Sequence, residues 1–91
     1  MDKFEEFLNS LGGKLKKEKW PNVYLFKFIV PSKEEKINEV TALFDEHAEI
    51  STNVSTNAKY TSISIKTIVV DVEEILHTYR RASKIEGIIS L

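Results

Sequence analysis

The side chains of this sequence with the means to act in chemistry are two histidines, His47 and His77, and three adjacent acidic pairs, Glu34-Glu35, Asp45-Glu46 and Glu73-Glu74. A histidine becomes a metal ligand or a general base only in company: a second ligand one helical turn away, or a carboxylate orienting its ring. Neither histidine has a neighbour at metal spacing, so both read as surface or structural residues. Adjacent carboxylates on a helix point about 100° apart and cannot share one substrate. The acidic pairs therefore read as solvated faces or as partners of a helix N-terminus. Serines are present, but no G-x-S-x-G elbow offers one to a base. Gly12-Gly13-Lys14 lacks the G-x-x-x-x-G-K-[ST] pattern of a phosphate loop and follows a helix where a strand is required, so the glycines read as a helix terminator. The absence of cysteine removes disulfides, thiol nucleophiles, iron–sulfur clusters and cysteine-ligated zinc. The chain is read as non-enzymatic, with no metal or other cofactor.

The 91 residues suffice for one domain, and 42% hydrophobic with 30% charged residues is ordinary globular usage. No apolar run approaches the roughly 20 residues of a membrane helix, and the N-terminus lacks a signal peptide's apolar core, so a cytoplasmic protein is expected. Thirteen basic and 14 acidic residues leave a formal charge of −1, too little to draw the whole molecule onto nucleic acid or anionic lipid.

Positioning falls to the elements. Phe4, Phe7, Leu8 and Leu11 recur at helical spacing behind a capping Asp2, with Gly12-Gly13 expected to end the helix before a basic connector, Lys14 to Lys19. Residues 1–19 are thus an amphipathic helix and connector, and residues 20–91 the main domain. Asn22 to Val30 is a β-branched and aromatic run broken by Lys27, the pattern of a central strand, and Pro31 stops it. Alternation puts Tyr24, Phe26, Phe28 and Val30 on one face and Leu25, Lys27 and Ile29 on the other. Ser32 with Glu35 predicts a capping box for a helix from about Lys33 to His47, bearing Ile37, Val40 and Phe44. Glu49 to Asn57 reads as a polar edge strand with a turn at Thr56 to Lys59. Tyr60 to Val69 alternates again, Thr61, Ile63, Ile65 and Thr67 opposing Tyr60, Ser62, Ser64 and Lys66. Asp71 and Glu74 predict a second capping box, for a helix with Val72, Ile75, Leu76, Tyr79 and Ala82 inward. Ile85 to Leu91 closes the chain as a strand. This is an α+β chain, a ferredoxin-like βαββαβ plait with an extra N-terminal helix, and right-handed crossovers require antiparallel sheet order 4-1-3-2.

The stretches Trp20-Pro21-Asn22-Val23-Tyr24-Leu25-Phe26-Lys27-Phe28-Ile29-Val30-Pro31 and Val54-Ser55-Thr56-Asn57-Ala58-Lys59-Tyr60-Thr61-Ser62-Ile63-Ser64-Ile65 resemble the two signature segments of the YbeD-like family, the domain of unknown function 493. The resemblance covers residues 20–91 and leaves the N-terminal helix outside. It implies a plait similar to the ACT regulatory domains, which bind amino acids beside metabolic enzymes, in a family without an established reaction. Many ACT domains place a glycine turn after the first strand to admit the ligand; this chain has Val30-Pro31-Ser32-Lys33 there.

With the helices covering Phe26, Phe28, Ile63 and Ile65, the open sheet face displays Leu25, Lys27, Ile29, Tyr60, Ser62, Ser64 and Lys66. Its apolar members require a cover, either the N-terminal helix folded back with Phe4, Phe7 and Leu8, or another protein or second copy. RNA-binding plaits stack bases on this face, but Tyr60 is the one suitable aromatic, so nucleic acid is not expected. An acylphosphatase-like enzyme needs an arginine in the loop after the first strand, where this chain has Lys33. The expectation is an interaction or regulatory module acting through the open face on a protein partner or by self-association. The alternative is an ACT-like small-molecule sensor, with its ligand near the first strand–helix loop and Lys27.

Overall fold

The strongest alternation in the chain sets the sheet. In the computed structural model, which describes residues 2–91, β1 (Asn22–Pro31) pairs antiparallel with β3 (Tyr60–Val69), in a register that sets Phe26 against Ile65 and Phe28 against Ile63. β2 (Glu49–Val54) flanks β3, and β4 (Ile89–Ser90) flanks β1, giving the order β2-β3-β1-β4. This is the expected 4-1-3-2 arrangement read from the other edge, and the polar strand lies at an edge. With α1 (Lys3–Leu15) preceding it, and α2 (Glu34–Thr41) and α3 (Val72–Ala82) as crossovers, the chain is a ferredoxin-like plait with an added N-terminal helix. Among the described residues no helix is long and apolar enough to cross a membrane.

The two flanking helices start as their sequences require. Asp2 Oδ1 accepts the Glu5 N–H at 2.8 Å at the head of α1. Asp71 Oδ1 accepts the Glu74 N–H at 2.9 Å at the head of α3, while Glu74 Oε2 reaches back to the Val70 N–H. The five residues assigned to the inner stripe of α3 are all buried.

Five expectations need correction. The Ser32 capping box does not form: the Ser32 hydroxyl bonds the otherwise buried Thr61 hydroxyl at 2.7 Å, and Lys33 takes the cap position without a side-chain bond. α2 also stops at Thr41, six residues short of His47. Leu43 and Phe44 bond back three residues, tightening the chain, and Asp45 Oδ1 accepts the His47 N–H in a turn. Gly12 and Gly13 lie inside α1 and do not end it. β4 is confined to two residues because Ile85 to Ile88 form turns, with Gly87 at φ +84° under the Pro31 ring. The edge strand, too, is shorter than expected, ending at Val54 where a network of Ser55 and Asn57 side chains begins the turn and Ala58 adopts φ 60°.

All the helices lie on the Phe26/Phe28 side. Tyr79 of α3 is fully buried at the centre, its ring meeting Phe7, Tyr24, Phe26 and Phe28. Phe44 packs on Phe26 from the other flank. α1 joins this layer beside α3: Leu8 is fully buried, Leu15 is buried, and Arg80 reaches Glu5 at 3.9 Å. The helices approach closely at Gly12, where an added Cβ would stand 3.3 Å from Leu76 Cδ1; at Gly13 it would meet nothing within 4 Å. Alanine is the better helix former by about 0.5–1 kcal/mol. Gly13→Ala is therefore expected to raise stability by about that amount in urea denaturation, and Gly12→Ala to gain distinctly less because Leu76 must move aside. Equal gains would contradict the close approach.

The Tyr79 hydroxyl sits 3.0 Å from the Tyr24 hydroxyl and donates to Leu91 O at 3.5 Å. Burial, and next the hydrogen bond with Tyr24, push its pKa well above the ordinary tyrosine value. The unfolded chain releases this proton near pH 10 while the folded chain keeps it. Stability from this group is thus complete below about pH 10 and declines above it by up to about 1.4 kcal/mol per pH unit. Denaturation from about pH 8 to about pH 11 is expected to show that decline, and Tyr79→Phe to flatten it at a cost of about 0.5–1.5 kcal/mol at neutral pH. An unchanged alkaline slope in the variant would contradict the assignment.

Candidate interaction face

The register that buries Phe26, Phe28, Ile63 and Ile65 turns every intervening residue to the other side of the sheet. Leu25 stands opposite Lys66, Lys27 opposite Ser64, Ile29 opposite Ser62 and Pro31 opposite Tyr60. The seven residues expected on the open face, Leu25, Lys27, Ile29, Tyr60, Ser62, Ser64 and Lys66, thus occupy one surface, spread over two adjacent strands. β2 adds Glu49, Ser51 and Asn53 to this surface through its pairing with β3, and β4 adds Ile89 opposite Ile29.

Among the described residues no helix covers this surface, since α1 packs in the layer on the opposite side. The face therefore keeps its apolar groups in solvent. The two most exposed, Leu25 and Ile68, stand at one end, where Val23 faces Ile68 across the β1–β3 ladder, while Tyr60 and Ile89 lie toward the other. Val23, Leu25 and Ile68 are 48%, 59% and 68% exposed. Sequence reasoning missed two of the three. Ile68 lies in the run Ile68-Val69-Val70, where uniform apolarity hides the alternation, and only counting strand parity through from Ser62 would have placed it outward. Val23 stands at the start of its strand, before the alternation that runs from Tyr24 sets in.

Three shallow, solvent-open depressions cross the face. One lies between Val23, Ile68 and His47, a second between Leu25, Ser64 and Lys66, and a third between Ile29, Ser62 and Tyr60. Such geometry suits broad contact more than the enclosure of a small ligand. Lys27 and Lys66 are exposed, and among the described residues neither forms an ion pair. Their ammonium groups stand free to meet carboxylates or carbonyls at the margin of the apolar strip. Ser62 donates its hydroxyl to Asn53 O at 3.3 Å. His47, expected on a helix, instead projects from the turn before β2 at the end of the apolar strip, with Glu46 3.9 Å away. His77 is exposed on α3, far in sequence from these residues. Among the described residues no group of three or more His, Cys, Asp or Glu side chains is placed to hold a metal ion.

No curated protein and no solved structure matches this chain. The family of proteins of unknown function DUF493 matches it from Lys16, the residue after α1, through the whole plait to Leu91. On that match over residues 16–91, which takes in every strand of the open face, the chain belongs to the DUF493 family.

Proposed function

We propose that the chain is a non-enzymatic interaction module of the cytoplasm, and that its open sheet face seats another protein. The observation that carries this reading is the solvent-exposed strip Val23, Leu25 and Ile68, left bare although the chain has an amphipathic helix with which to cover it. Fully burying a Val, Leu or Ile side chain contributes about 1.5–3 kcal/mol, so completing the burial of half-exposed ones contributes about 1 kcal/mol each. Three such side chains on a rigid sheet, flanked by Lys27 and Lys66, fit a partner with an apolar ridge bordered by acidic groups. A role in regulating that partner follows if the contact competes with another of its surfaces.

The strip is the part to alter. Leu25→Glu and Ile68→Glu replace exposed side chains and are expected to change stability by no more than about 1 kcal/mol. In affinity capture from the native cell, both variants are expected to lose the protein that the unaltered chain retains. Amide protection in the recovered complex is expected to rise on β1 and β3 and not on the helices. Capture unaffected by both substitutions, or protection confined to the helical layer, would overturn the reading.

A further inference from the structure

The outer edge of β2 has the form of a template for another strand. Ser55 N–H donates to Tyr60 O at 2.8 Å where the hairpin closes, and hydrogen-bonded pairs of an antiparallel ladder recur at every second residue. Given the register Asn53↔Ser62 and Ser51↔Ser64, Ser51 and Asn53 bond to β3, and Ile50, Thr52 and Val54 direct their N–H and C=O groups outward. The side chains of these outward residues lie on the helix side of the sheet, where Ile50 and Val54 are 40% and 56% exposed. The usual devices that blunt an edge are missing from this strand, which has no proline, no lysine and no bulge in its pairing with β3. The opposite edge, β4, is only two residues long.

We propose that β2 is a self-association edge, pairing antiparallel with β2 of a second copy of this chain. The strand Glu49-Ile50-Ser51-Thr52-Asn53-Val54 is complementary to itself about Thr52. A twofold axis there sets Ile50 opposite Val54 of the second copy, Thr52 opposite Thr52, and Val54 opposite Ile50. Every outward residue then falls in a hydrogen-bonded pair and exchanges both of its backbone bonds. Exposed β-branched side chains meet each other, and Glu49, the one charge of the strand, meets Ser55 and not a second carboxylate. Sliding the register by one pair in either direction sets Ile50 or Val54 against Thr52 and pushes the third outward residue past the end of the strand. Both copies keep their helices on the same side, and their open faces join into one surface. The pairing does not rest on the reading of that face as a protein-binding surface. One strand's width falls short of the roughly 1,200 Å² of a stable interface, so the dimer grows with concentration and is substantial by about millimolar chain.

Because the chain lacks cysteine, a single introduced one reports the register. In Thr52→Cys the paired Cα atoms stand about 5.5 Å apart, within disulfide range. Mild oxidation at high protein concentration is expected to give a covalent dimer, and much less of one in Ser51→Cys, whose counterpart is Asn53. Sedimentation of the unaltered chain is expected to show mass rising toward two chains with concentration. Thr52→Pro, which deletes an outward N–H and no bond to β3, is expected to hold it at one chain with unchanged circular dichroism, and Leu25→Glu to leave the association intact. Should Thr52→Pro fail to fold, the cysteine variants decide. A mass fixed at one chain up to about 1 mM, cross-linking no greater at position 52 than at 51, or association lost in Leu25→Glu and kept in Thr52→Pro would each overturn pairing through β2; the last would move self-association to the open face.

Discussion

The pairing of β1 with β3 is the constraint on which the rest of this molecule depends. Its ten-residue register puts Phe26 against Ile65 and Phe28 against Ile63 on one side of the sheet, and because side chains alternate, a slip of one residue would carry that whole set into solvent. The register therefore decides both surfaces together: what the helices bury, and what is left facing outward. Tyr79 completes the buried side. It fills the space between the sheet aromatics and α1, and its hydroxyl is satisfied by Tyr24 and Leu91, so a polar group enters the core with partners. Among the described residues no buried side-chain polar atom lacks a hydrogen bond.

The location of α1 follows from the same division. Its stripe of Phe4, Leu8, Leu11 and Leu15 had two apolar surfaces to choose between. In the helical layer these residues join the core, Phe7 beside them meets Tyr79, and Gly12 permits close approach to Leu76 of α3. On the open face it would have had to desolvate Lys27, Lys66 and a row of serine hydroxyls, without partners of its own to offer them. The helical layer satisfies the stripe at no such cost, and the open face remains uncovered.

Much of this was legible in the residues. The alternation of Tyr24 to Val30 and of Tyr60 to Lys66 carries the sheet's two faces, the stripe from Val72 to Ala82 carries α3, and crossover handedness carries the strand order. The residues that misled did so for physical reasons. Ser32 can cap a helix, but the buried Thr61 hydroxyl needs a partner and takes it. Two consecutive glycines can end a helix, yet here both lie inside one, with Gly12 at its close approach to Leu76. An amphipathic stripe states that a helix is buried on one side, and nothing in it names the surface it meets, so the position of α1 was not readable. Of the candidate face, the parity of the seven expected residues was readable, whereas Val23 and Ile68 fell at strand ends where a uniform apolar run masks the period.

The Leu25 side of the sheet is bare, and α1 is built into the opposite layer. Native-state thiol labelling of single-cysteine variants tests this division most directly, because the chain contributes no cysteine of its own. Leu25→Cys and Ile68→Cys at low chain concentration should react nearly as fast as a free thiol, and Leu8→Cys should react only through unfolding, slower by about a thousandfold or more. Fast labelling at position 8 together with protection at positions 25 and 68 would instead place α1 on the open face.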